Sequence, residues 1–152
     1  MKNLLASILL LSATITLGQT WEITNLDDKF GQPSDNQVIY VNNSESSRDK
    51  GQLVYVAHKN QIALIGSYFC SKYDNVTFFV KLPKGEKKFK FEGKRNNSKG
   101  ALFFTNKKKV KELLALFKSG EVINVKVGNG HCSDEDYIFS LSGFTEMYNK
   151  IN

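Results

Sequence analysis

QLVYVAHKNQIALIGSYF, residues 52–69, decides the fold. Two apolar runs, 52–58 and 61–69, are separated only by Lys59 and Asn60. Both runs are short and rich in Val, Ile, Tyr and Phe, which favour a half-buried pleated surface. Asn accepts the positive φ that a tight turn requires, so the spacing predicts a β-hairpin.

The same period of two extends in both directions. WEIT (21–24) and VIYV (38–41) precede the hairpin, and NVTFFVKL (75–82) sets Val76, Phe78, Val80 and Leu82 on one face. EKKFKFEG (86–93) turns Phe89 and Phe91 inward against Lys88, Lys90 and Glu92 outward. ALFFT (101–105), VINVKV (122–127) and YIFSLS (137–142) continue the pattern. Short strands at this spacing predict a mainly β protein, an antiparallel β-sandwich or barrel-like fold in a single domain over residues 19–152.

One segment changes period. Val110, Leu113, Leu114 and Phe117 follow i, i+3, i+4, i+7, which predicts an amphipathic helix over about 107–118. Asn106 or Thr105 can cap its start, and Gly120 sits where a left-handed C-cap belongs. A short C-terminal helix, FTEMYNKI, is expected after the break at Gly143. The polar stretch 42–51 reads as a loop.

The first eighteen residues point to export. Lys2, the apolar run from Leu4 to Leu17 and the small Gly18 follow the pattern of a cleaved signal peptide. That run is shorter than the ~20 residues that span a bilayer. The expected localisation is periplasmic or secreted. Cys70 and Cys132 are the chain's two cysteines, and export favours their pairing. In the chain-entropy description, such a bridge contributes ~4 kcal/mol.

The formal net charge of +6 conceals an asymmetry. Residues 81–126 hold fourteen of the twenty-one Lys and Arg with four acids, a local net of +10. Residues 19–80 and 127–152 are each net acidic. Lys84, Lys87, Lys88, Lys90, Lys94, Arg95 and Lys99 cluster around one hairpin, and Lys107, Lys108, Lys109 and Lys111 crowd the expected helix start. The helix dipole disfavours lysine there by ~0.3–1 kcal/mol per charge, so local stability does not explain those four. Free amides at a helix start together with lysines can hold an anion. Lysines also keep exported proteins soluble and guard strand edges. Phe89 and Phe91 point at the core, and export removes the chain from nucleic acid, so anionic envelope polymers or acidic proteins suit the surface better.

HCSDEDYIFSLSGF, residues 131–144, is the one stretch that suggests chemistry. His131, Asp134, Glu135 and Asp136 match neither a zinc spacing nor the alternation and glycine of a calcium loop, so neither a metal nor a cofactor is implied. Ser133 to Asp136 are expected to form a solvated turn. Tyr137, Phe139 and Leu141 are expected to enter the core. GxSxG and HExxH are absent. The expected function is therefore an exported, non-catalytic binding protein whose lysines meet an anionic envelope component or an acidic protein, an inhibitor's target being one such protein. The alternative is a small exported hydrolase using His131 or His58 with a nearby carboxylate. A third use of such a fold is its sheet edge.

Overall fold

Alternating apolar residues produce nine strands in the computed structural model, which describes residues 19–27, 33–44, 49–66, 69, 73–96, 100–128 and 134–152. They are β1 (Glu22–Asp27), β2 (Pro33–Asn42), β3 (Gln52–Val56), β4 (Gln61–Ile65), β5 (Tyr73–Leu82), β6 (Gly85–Asn96), β7 (Ala101–Phe104), β8 (Val122–Gly128) and β9 (Glu135–Ser140). Helix α1 (Lys107–Ser119) lies between β7 and β8, and α2 (Phe144–Ile151) follows β9. All the pairings are antiparallel, in the order β1-β2-β3-β4-β7-β6-β5-β8-β9. The mainly β expectation and both helices hold.

One face of every strand from β2 onward feeds a common core. Ile39, Leu53, Ile62, Leu64, Phe78, Val80, Leu102, Phe104, Ile123, Val125, Tyr137 and Phe139 are all buried in it. α1 adds Val110, Leu113, Leu114 and Phe117. At ~25 cal/mol per Å² of apolar area, this shared burial is the main favourable term in the fold. Aromatic rings meet edge to face within it, Phe78 with Phe104 at 5.2 Å and Phe91 with Phe104 at 5.0 Å. On the opposite face Val38, Val54, Val56 and Ala63 form a second, smaller cluster.

The sheet curls until the first and last parts of the chain meet. The Trp21 indole donates to the Ser140 carbonyl at 3.0 Å, and Gln19 Nε2 donates to the Asn42 and Ile138 carbonyls. Ser44 N and Asp49 N donate to the Ile138 and Asp136 carbonyls. Asp136 N and Ser140 N donate to the side chains of Asp49 and Gln19. Tyr137 fills the space beside Gly51 and Gly66, where an added Cβ would strike its ring and hydroxyl. The β9 edge is thus covered without a tenth strand, giving a single barrel-like sheet.

Three local expectations change. The 52–69 hairpin forms with Val56 opposite Gln61, but its loop is a 3₁₀ turn, Ala57–Lys59, followed by Asn60 at φ 46°. The loop therefore takes four residues, and Asn60 does adopt the left-handed conformation. Asn106 caps α1 by accepting from Lys109 N at 3.1 Å. Gly120 is extended, with φ −88°, so it is no left-handed cap. It is small because a Cβ there would lie 2.7 Å from both Leu141 and Val80. Glu135 and Asp136 belong to β9, opposite Val127 and Lys126, rather than to a solvated turn.

Candidate functional site

The β5–β6 hairpin builds the basic surface. Its register runs from Leu82 opposite Gly85 at the tip to Tyr73 opposite Lys94. Phe89 and Phe91 face inward while Lys88, Lys90 and Lys94 face solvent, as the alternation dictates. Lys84 and Lys87 are exposed at the tip. Lys107, Lys108, Lys109 and Lys111 are exposed on the first turns of α1. Lys99, Cys70, Cys132 and His131 lie outside the described residues.

The lysines of the hairpin and of α1 come together where helix meets strand. Lys109 Nζ donates to the Lys90 carbonyl at 3.2 Å and stands 5.6 Å from the Phe91 ring centroid. A cleft of about 460 Å³ opens there, lined by Asn75, Val76, Thr77, Lys90, Phe91, Glu92 and Lys109. On the outer face Lys88 and Lys126 flank the Phe79 ring at 5.3 and 5.8 Å. Among the described residues the ion pairs are Lys81–Glu121, Lys126–Asp136 and Lys150–Glu146. None of these engages Lys84, Lys87, Lys88, Lys90, Lys94, Lys107, Lys108, Lys109 or Lys111. Their charge is left for solvent or a partner.

Arg95 is different. It points to the interior side of β6, and Nη1 donates to the Phe69 carbonyl at 2.6 Å while Nε is buried without a hydrogen-bond partner. It ties the Phe69 carbonyl to β6. The local composition that marked Arg95 as part of the cluster carries no sign of this inward role.

Of the residues that suggested chemistry, Asp134, Glu135 and Asp136 line one cleft together with Lys126. His58 sits exposed in the 3₁₀ turn, with no hydrogen bond or ion pair among the described residues. Glu135 accepts from the Tyr137 hydroxyl, and Asp136 pairs with Lys126 at 3.7 Å. No group of three or more His, Cys, Asp or Glu that could hold a metal occurs among the described residues. Among the described residues, a large titration shift falls on Tyr55 of β3. Burial, then the neighbouring Tyr148 hydroxyl, pushes the Tyr55 phenol up to about 12. No helix among the described residues is long and apolar enough to cross a membrane.

No model of a known protein family matches this chain, and neither a curated protein nor a solved structure does.

Proposed function

We propose that the protein is an exported binding protein that meets an anionic partner through the lysines of the β5–β6 hairpin and the start of α1. The observation that carries this reading is that Lys84, Lys87, Lys88, Lys90, Lys94, Lys107, Lys108, Lys109 and Lys111 are exposed and in no ion pair among the described residues, on a surface fed by a local net of +10. Like charges gathered this closely raise the local concentration of anions and speed their capture. The sequence at 1–18 supports export, and in that compartment Cys70 and Cys132 form a bridge. Alkylation of the unreduced, denatured protein then labels neither thiol.

The partner is an acidic protein or an anionic envelope polymer. Triple replacement Lys107, Lys108, Lys109→Glu is expected to weaken binding of a polyanion on the order of 100-fold at low salt. Raising the ionic strength from about 0.05 to 0.5 M should weaken the unaltered protein steeply. Binding that ignores both changes would refute the lysine surface as the contact. A hydrolase reading draws no support from His58, which has no carboxylate partner among the described residues.

A further inference from the structure

We infer that the anionic partner is an extended acidic polypeptide that adds itself as a strand to the open edge of β6. The inference rests on the lysine-surface reading and names the class of partner that surface takes. β6 runs for twelve residues, but β7 pairs with it only from Lys94 to Asn96 before the chain turns into α1. Gly85 to Gly93 are therefore bonded on one side alone, to β5.

The hairpin's two-residue tip fixes which groups face each way. With Leu82 opposite Gly85, the odd-numbered residues of β6 exchange hydrogen bonds with β5, and Glu86, Lys88, Lys90 and Glu92 direct N–H and C=O outward. The Lys90 carbonyl agrees, since it accepts from the Lys109 ammonium. The other backbone groups of that row have no partner among the described residues.

Two further edges make poorer docks. β9 is covered along Asp136, Ile138 and Ser140 by Trp21, Gln19, Ser44 and Asp49. β1 is broken by a register shift between Asn25 and Asp27 and carries acids of its own. The β6 edge is continuous, and Lys90 and Lys109 beside it also line the 460 Å³ cleft, which reaches across to Asn75, Val76 and Thr77 of β5. Lys87, Lys88 and Lys90 on the strand and Lys107, Lys108 and Lys109 on the helix set the charge of an incoming strand. Backbone pairing supplies affinity and the lysines select carboxylates, the division of labour usual in strand addition.

A decapeptide alternating Glu and Thr, two twins N-methylated at every second amide in one register or the other, and inorganic polyphosphate of equal charge test this against the full chain. The unmodified peptide should bind, and N-methylation in the register facing β6 should weaken it at least about tenfold through lost backbone bonds. The amides of Lys88 and Lys90 should exchange with solvent at least about tenfold more slowly in its presence. If both methylated registers bind as well as the unmodified peptide, or if the amides exchange unchanged, strand addition is overturned while the lysine surface stands. If neither peptide nor polyphosphate binds at low salt, the lysine surface falls with it.

Discussion

The edge of β9 and the edge of β6 pose one physical problem and receive opposite answers. Each presents a row of backbone donors and acceptors to the side away from its partner strand. On β9 an indole, an amide side chain, a carboxylate and two backbone amides take up that row. On β6, between Gly85 and Gly93, one lysine ammonium reaches one carbonyl. Open strand edges invite pairing with other chains, and lysines are a common protection. The contrast shows that the fold spends its internal groups on one edge and leaves charge at the other. Stability should therefore be concentrated at β9 and recognition at β6.

Trp21→Ala attacks that contrast hardest. It removes a buried ring that meets Phe144 edge to face at 4.9 Å and donates to Ser140. A loss of about 3–5 kcal/mol is expected, read from the urea midpoint. A loss comparable to that of an exposed substitution would mean the β9 seal is incidental. The sealed side also sets a limit at alkaline pH. Tyr55 lies on β3 against Tyr148 of α2, 5.3 Å between ring centroids, and its folded pKa is raised to about 12 from 10.0. A raised folded value means the contribution is complete below pH 10 and is lost as pH climbs toward 12. Tyr55→Phe should remove that part of the alkaline slope in stability measured at pH 9 and 11.5, and identical slopes in the two proteins would assign it elsewhere.

Asp49→Ala sharpens the comparison at a single bond. It takes the carboxylate from the part-buried Asp136 amide, which it meets at 2.7 Å, with an expected cost of about 1–3 kcal/mol. Amide exchange at Asp136 should accelerate more than exchange at Phe78 in the middle of the sheet. The smallest effect belongs to the open edge. Lys88→Glu touches an exposed side chain that is free of ion pairs among the described residues. Its stability should change by no more than about 0.5 kcal/mol while polyanion binding weakens. A large destabilisation there would show that the β6 lysines serve the fold.

Much of this architecture is written in local periodicity. Val76, Phe78 and Val80 alternate into the core because a strand turns every second side chain the same way, and the 110–117 spacing gives α1 for the equivalent helical reason. What local pattern cannot carry is the meeting of distant segments. Nothing around Gln19 or Asp49 announces that they bond to β9, since those contacts depend on how the intervening strands, eight after Gln19 and six after Asp49, curl. Gly120 misled as a cap for the same reason. Its smallness answers to Leu141 and Val80, which arrive from two other elements. The lysine cluster was legible as charge, whereas the open edge beside it follows from the shortness of β7 and its offset on β6. Arg95 joined that cluster by composition, although its guanidinium is engaged by a carbonyl twenty-six positions earlier.

The β9 seal also has a meaning in time. Trp21 and Ser140 are separated by 119 positions, Gln19 and Ser140 by 121, and Asp49 and Asp136 by 87. A ribosome releases the chain from its first residue to its last, so β2, β3 and β4 can pair well before any of these partners exists. The contacts that join the two ends of the sheet must form last, against the full entropy of closing the longest loops in the molecule. Until β9 arrives, the apolar inner face of the early strands stays uncovered, and the nascent chain is exposed to misassociation throughout that interval.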